Sequence, residues 1–387
     1  MKNDVLAKNI RSYRRLSGMT QNDLAAKLYI APQTVSKWES GISEPDAEKL
    51  CVLADIFGIS LDQLMRVQGS NNQRAFIAID GGGTKTDFVL FTESGEILER
   101  FTLGGSNPNA HSIAHSKEIL VEGIDRLCRS GAQVAGIFAG ISGASAGNNR
   151  GELNSFLKKR YPYIKSRVEG DIYNVINSVE GTENGCIAVI CGTGSVVYGY
   201  DGSELYRRGG WGYLFDEAGS GFDIGRDALR HALAAEEGEC EQSALAIAVR
   251  ETVGGGIFEN ISSIYARGKD HIASFAPIVL EYASRGECVA LEIVQKTVDR
   301  LAHLINGMSA SYDCGDLVVI AGGLISRRDI LEPMLRERIN NGLRLVFADC
   351  PQIVGAAVKC ARLYADNFDI SVFTAEFLSN FHKIQKI

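Results

Sequence analysis

Along the first 65 residues the apolar positions recur every three or four places: Leu6, Ile10 and Tyr13, then Leu24 and Leu28, then Leu50, Leu53, Ala54 and Phe57. That spacing predicts short amphipathic helices closed by SLDQLM (60–65). From Ala75 the pattern changes. AFIAID (75–80) and DFVLFT (87–92) are apolar runs rich in β-branched and aromatic residues, which predict two strands around the turn GGGTKT, with a third strand inside SGEILERFTL (94–103). The same device returns in GCIAVICGTGSVVYGY (185–200). DLVVIAGGLIS (316–326) reads as a buried strand ending in Gly322-Gly323, with a helix starting near Arg328.

These shifts divide the chain into a helical head (1–65), a polar linker RVQGSNNQR (66–74), a first α/β lobe (75–182) and a second (183–387). Leu291, Val294, Val298, Leu301 and Leu304 have the spacing of a core helix. Phe373, Phe377 and Phe381 lie four residues apart in a terminal amphipathic helix, which packs on the first lobe or forms a dimer contact.

The head carries its own punctuation. Ser17-Gly18 ends helix one, Thr20 and Asp23 form a capping box for helix two, and Pro32 starts helix three at a position where its missing N–H costs nothing. A tight turn between the second and third helices describes a helix-turn-helix. Net charge is −7 overall, yet residues 1–37 hold seven Lys or Arg against Asp4 and Asp23. A basic end on an acidic protein points to nucleic acid. A bundle used for protein contacts is the bland alternative.

MTQNDLAAKLYIAPQTVSKWESG (19–41) resembles the lambda-repressor-like (Cro-type) helix-turn-helix family over about residues 5–65. The resemblance implies that Gln33, Thr34 and Lys37 read bases in the major groove while Gln21 holds phosphate. Ala31 departs from the usual Ser or Thr cap. One such module makes few contacts, so a homodimer on a double-stranded DNA operator is expected.

Composition excludes several other classes. The longest apolar runs, such as LVVIAGGLI (317–325), are far short of a membrane span, and Met1 leads into a charged segment without an export signal. No membrane partner and a cytoplasmic location are expected. The nine cysteines include no CxxC pair, so reduced thiols are expected rather than disulfides or zinc.

The hairpin turns carry the chemistry. A P-loop or a dinucleotide fingerprint requires a helix after its glycines, and here a strand follows. Gly81, Gly82 and Gly83 let backbone N–H groups approach anionic oxygens, and Asp80 at the strand end can hold hydrated Mg²⁺. This arrangement resembles the two-lobed α/β fold shared by actin, hexokinase and the heat-shock chaperone ATPases, a ribonuclease-H-like architecture that clamps ATP between lobes. Thr84 and Lys85 would sit over the β/γ-phosphates, Gly192, Thr193, Gly194 and Ser195 would take the other side, and Gly322 and Gly323 would meet the adenosine.

Within that fold, residues of about 75–360 resemble the BadF/BadG-type ATPase family and its N-acetylglucosamine kinases. GGWGYLFDEAGSGFDIGRDAL (209–229), GGSNPN (104–109) and AGISGA (139–144) carry the resemblance. It implies Asp171 as the base on the sugar hydroxyl, and Asn107, Ser142, Gly143, Gly210, Trp211 and Glu217 as sugar contacts. Two plain alternatives stand beside these roles: Asp171 as a helix N-cap and Trp211 as core. Where the kinase pattern has Asp-Glu, this chain has Glu217-Ala218; the extra methylene moves the carboxylate by ~1.5 Å. The iron–sulfur activators of the same superfamily need converging thiolates that Cys128, Cys186 and Cys191 do not offer, and the zinc site of the ROK repressors is missing. The expectation is a sugar-responsive regulator that uses ATP and Mg²⁺ on an amino sugar, or a catalytically inactive sensor of the same ligands.

Overall fold

The computed structural model describes residues 2–59, 61–65, 74–130, 132–215, 219–366 and 368–384. The chain forms two compact units, residues 1–178 with 351–387, and residues 179–350.

The first unit opens with the head: α1 (Lys2–Leu16), α2 (Gln21–Leu28), α3 (Pro32–Glu39), α4 (Ala47–Phe57) and α5 (Leu61–Met65). Leu6, Ile10, Leu24, Leu28, Val35, Trp38, Leu53, Phe57 and Leu64 form its core. The Thr20–Asp23 capping box is present at α2, and Ala31 starts α3 without a side-chain cap. Because Val35 and Trp38 take the buried stripe of α3, Gln33, Ser36 and Lys37 are exposed and Thr34 is half-buried. The Arg14 guanidinium bonds both oxygens of Glu39, at 2.5 and 3.0 Å, and both residues are buried.

Arg74, the last residue of the expected linker, instead begins a strand; residues 66–73 lie outside the described residues. β1 (Arg74–Gly81), β2 (Lys85–Thr92) and β3 (Ile97–Gly104) form an antiparallel meander. After α6 (Ile113–Cys128), β4 (Gln133–Ile141), α7 (Asn149–Arg160) and β5 (Lys165–Gly170), the short α8 (Ile172–Ile176) follows Asp171. The sheet order is β3-β2-β1-β4-β5, with β1, β4 and β5 parallel. One face of this sheet packs Ile77, Ile79, Phe88 and Leu90 against Leu120 and Ile124 of α6 and Leu153 and Leu157 of α7.

The second unit repeats the plan. β6 (Cys186–Cys191), β7 (Ser195–Tyr200) and β8 (Leu205–Arg208) are antiparallel. Next come α9 (Gly221–Glu236), α10 (Ala244–Val253), α11 (Ile257–Ala273, broken at Gly268), α12 (Ala276–Ser284) and α13 (Cys288–Ser311). β9 (Leu317–Ala321), α14 (Arg328–Arg336) and β10 (Arg344–Phe347) complete it, in the order β10-β9-β6-β7-β8.

The chain then returns to the first unit with α15 (Gln352–Tyr364) and α16 (Ile370–Ile384). The expected division put residues 183–387 in the second lobe, with a terminal helix that packs on the first lobe or at a dimer contact. α16 takes the first of these places, and α15 departs from the division by joining the first unit as well. Packing explains the return. Phe373, Phe377 and Phe381 are buried, and Phe91 of β2 meets the Phe373 and Phe377 rings edge-on at 5.5 and 5.6 Å. Burying each ring contributes about 1.5–3 kcal/mol, enough to fix the helix on that sheet face. No disulfide forms among the nine cysteines. No helix among the described residues is long and apolar enough to cross a membrane.

Candidate active site

In the first unit three parallel strands end side by side. Register places Asp80 of β1 opposite Gly140 of β4, and Glu169 of β5 beside Gly140. Asp171 therefore leaves the sheet at the carboxyl edge, where open α/β sheets bind ligands. A cavity of about 340 Å³ is lined by Asp80, Gly81, Gly82, Thr84, Lys85, Asp87, Asp171, Pro351, Gln352 and Ile353. Six of the residues predicted from sequence are thus gathered in one place.

The glycine turn is built by close approach, not by left-handed backbone; none of Gly81, Gly82 and Gly83 has positive φ. A Cβ on Gly81 would lie 2.3 Å from Ser106 Oγ, whereas one on Gly83 would meet nothing within 4 Å. Gly83 borders open space, as a backbone cradle for a ligand requires. The Lys85 ammonium, largely exposed, pairs with Asp87 Oδ2 at 3.0 Å. The N-terminus of α15 reaches the cavity without a side-chain cap, and its dipole adds a positive end there.

Burial pushes the Asp80 carboxyl up to about 7; a hydrogen bond from Asn174 opposes this, while nearby Asp171 and Asp87 act with it. No group of three or more His, Cys, Asp or Glu among the described residues is placed to hold a bare metal ion, but Asp80 with Asp171 nearby fits a hydrated Mg²⁺, which needs only one or two carboxylates. Asp171 sits at the N-cap position of α8, yet its side chain makes no capping hydrogen bond. The structural alternative for this residue is therefore not what the geometry shows.

The loop after β3 clamps the same turn. Ser106 and Asn107 donate their backbone N–H groups to the Gly82 carbonyl at 3.0 and 3.1 Å, and Ser142 donates its own to Gly81 at 2.7 Å. Asn107 Nδ2 reaches Ser142 Oγ at 3.4 Å. A Cβ on Gly143 would lie 2.3 Å from Asn107 Oδ1. Asn107, Ser142 and Gly143 are thus contiguous. Sequence reasoning missed two neighbours: Asn149 Nδ2 donates to Asn109 Oδ1 and to the Gly143 carbonyl, both at 3.1 Å. The signal for Asn109 was available in the repeated Asn of GGSNPN, whereas nothing local marks Asn149.

In the second unit, the turn between β6 and β7 holds Gly192, Thr193 and Gly194, with Ser195 opening β7. The first residues of α9 bind it: Gly221 N–H donates to the Gly192 carbonyl at 2.7 Å and Phe222 N–H to Thr193 at 3.1 Å. Gly322 (φ +108°) comes so near that a Cβ would lie 2.3 Å from the Cys191 carbonyl, and Gly192 faces Gly323. Gly210 abuts Ser195 in the same way, 2.7 Å from its carbonyl by that measure. Trp211 is not core. It is 61% exposed, with the Arg207 guanidinium 4.4 Å from its ring, and Arg207 also donates to the Gly209 and Gly210 carbonyls. Arg207 fixes an open aromatic face, which suits a sugar ring. Glu217 lies outside the described residues.

In the head, Gln21 Nε2 donates to Glu39 Oε2 at 2.8 Å, so this side chain is held by the buried ion pair; its Oε1 is not used in that bond.

Residues 10–64 match the helix-turn-helix family model. The N-acetyl-D-glucosamine kinase of Dictyostelium discoideum is 26% identical over 314 residues, covering 74% of this chain and 98% of the relative. A solved structure from Chromobacterium violaceum, assigned as an N-acetylglucosamine kinase, is 25% identical with a TM-score of 0.60, covering 74% of this chain and 98% of its own. A ROK family transcriptional regulator, a homologue of the E. coli MLC protein, shares the fold over 99% of both chains at 14% identity and a TM-score of 0.50. A helix-turn-helix head precedes an actin-like α/β body of the sugar-kinase type. Residues 77–359 match the model of the BadF/BadG/BcrA/BcrD ATPase family, and the chain belongs to that family.

Proposed function

We propose that this chain is a sugar-responsive transcriptional regulator whose body transfers the γ-phosphoryl group of ATP to a hydroxyl of an N-acetylhexosamine. The observation that carries this reading is the gathering of Asp80, the glycine turn and Asp171 around one cavity, with Asn107 and Ser142 bonded to the same turn and Gly143 beside Asn107. Asp171 takes the proton of the sugar hydroxyl as its oxygen bonds to the γ-phosphorus and the bond to the ADP oxygen breaks. The N–H groups of Gly81 to Gly83, with Thr84 and Lys85, hold phosphate oxygens. Gly192, Thr193, Gly194 and Ser195 take the opposite side of the nucleotide, and Gly322 and Gly323 its adenosine. Asp80 would hold the hydrated Mg²⁺, which supplies charge neutralisation at the phosphates. Asn107, Ser142, Gly143, Gly210, Trp211 and Glu217 bind the sugar.

The head binds double-stranded DNA as a homodimer, with Gln33, Thr34 and Lys37 on bases and Gln21 at phosphate. The exposure of Gln33 and Lys37, forced by the burial of Val35 and Trp38, supports those roles. A cytoplasmic location follows from such a partner.

The second reading is a sensor that binds sugar and nucleotide without turnover. Glu217-Ala218 in place of the kinase Asp-Glu favours it. A coupled ATPase assay across hexoses and N-acetylhexosamines separates the two. Sugar-dependent ADP release supports the kinase, and tight sugar binding without release supports the sensor.

A further inference from the structure

Asn174 occupies α8 among the buried apolar side chains of Ile172, Val175 and Ile176, and is itself fully buried. A carboxamide there needs a reason, because the other buried side chains of the helix are apolar. Its Nδ2 donates to Asp80 Oδ1 at 2.7 Å and to the Gly140 carbonyl at 3.3 Å. Both partners can only accept while Asp80 is ionised, so the amide has one orientation. That orientation leaves Asn174 Oδ1 buried with no partner, a loss accepted for the sake of the other end.

Two glycines let neighbouring elements close on this residue, one at its side chain and one at its backbone. A Cβ on Gly140 would lie 1.9 Å from Asn174 Oδ1, and one on Gly355 of α15 would lie 1.7 Å from the Asn174 backbone oxygen. Strand β4 therefore closes on the carboxamide and α15 on the backbone that carries it, and the carboxamide holds one oxygen of the carboxylate that lines the cavity. Asp80 Oδ2 takes no side-chain hydrogen bond among the described residues.

We propose that Asn174 is a positioning residue: by holding Asp80 Oδ1 it fixes the carboxylate so that Oδ2 is presented to the hydrated divalent cation of the bound nucleotide. This rests on the reading of Asp80 as the cation-facing residue. It acts through Asp80 and touches neither nucleotide nor sugar.

The test is titration of the full chain with a fluorescent ATP analogue across a Mg²⁺ series and in EDTA. Wild type, Asn174→Ala, Asn174→Asp (same shape, donor removed) and Asp80→Asn are compared. Loss of an outer-shell partner costs about 10–100-fold in metal affinity. The Mg²⁺ needed for half-maximal tightening of nucleotide should rise by about that factor in both Asn174 variants, with affinity in EDTA unchanged. Adding Asn174→Ala to Asp80→Asn should change nothing more, since the two act as one. An unaltered Mg²⁺ requirement, or equal weakening with and without Mg²⁺, would reduce Asn174 to packing and overturn the proposal. Full additivity with Asp80→Asn would do the same, and so would wild-type nucleotide binding that ignores Mg²⁺. Wild type that binds Mg²⁺-nucleotide without phosphorylating any sugar would remove the kinase and leave this role standing.

Discussion

The two sheets share one plan and differ in the side chains at their strand ends. In each, a meander of three antiparallel strands is followed by two parallel ones, and the turn between the first two strands is rich in glycine. Aligned on that turn, Asp80-Gly81-Gly82-Gly83-Thr84 of the first sheet corresponds to Cys191-Gly192-Thr193-Gly194-Ser195 of the second. Asp80 is a carboxylate at a cavity, whereas Cys191 is a buried thiol that burial pushes up to about 12 and so keeps uncharged. Past the last parallel strand stand Asp171 in one sheet and Asp349 in the other. Asp349 is neutralised by Arg328 at 2.6 and 2.8 Å, while Asp171 stands beside Asp80 and raises it. The same backbone thus carries neighbouring carboxylates at a cavity in one unit and an uncharged turn in the other. The difference lies in a few side chains at strand ends.

The sharpest way to break this contrast is to treat the two aspartates alike. Asp171→Asn should lower turnover by ~10²–10⁴-fold, the range for a general base, with little change in sugar affinity. Asp349→Asn removes only an exposed ion pair and should cost at most ~1 kcal/mol of stability with turnover intact. Equal damage from both, in the same coupled assay, would end the assignment of chemistry to one sheet.

The outer face of the first sheet offers the next test. It depends on a helix from the far end of the chain, whereas the second is covered by helices within its own span. Phe377→Ala leaves a hole beside Phe91 and should cost about 3–5 kcal/mol. Hydrogen exchange should speed up in β1 to β3 and stay as it was in β6 to β8. Uniform loosening of both would mean that the two units do not hold their stability separately.

The head contrasts with both, because its central ion pair is sealed. Burial raises the Glu39 carboxyl, but the bonds from Arg14 and Gln21 outweigh it and leave it below its ordinary 4.5. A depressed carboxylate stabilises above its unfolded value. That contribution should be full above about pH 5 and vanish as pH falls through the folded value. Arg14→Ala strands a buried carboxylate and should cost ~3 kcal/mol in urea unfolding of the head. A head as stable at pH 3 as at pH 7 would contradict the pair's role.

Local signals made much of this legible. The capping box at Thr20, Pro32 at the start of α3 and the strand–glycine–strand pattern each state their structure within a few residues. Legibility failed where partners are remote in sequence. The Phe373–Phe381 spacing announces an amphipathic helix, but nothing local says which sheet it covers. Asn174 reads as one polar residue in DIYNVINS, and only folding shows it under Asp80, 94 residues away. Asn149 likewise joins Asn109 across 40 residues.

The smallest expected effect concerns communication between head and body. Residues 66–73 join them, and two heads are proposed to engage one operator for useful affinity. A sugar bound to the body can alter operator affinity only as far as it binds the DNA-competent dimer and its alternative differently. Linkage then requires DNA to change sugar affinity by the same factor. Couplings of this kind are about 1–3 kcal/mol, or roughly 5–150-fold. The cognate sugar should weaken operator binding within that range, measured by fluorescence anisotropy at fixed salt. Sugar titrations with and without operator must return the same factor. Gly-Ser repeats inserted after Gly69 should shrink the effect while leaving each separate affinity intact, because they uncouple head spacing from body geometry. Operator affinity that is identical with and without tightly bound sugar would mean that head and body are joined in sequence but not in function.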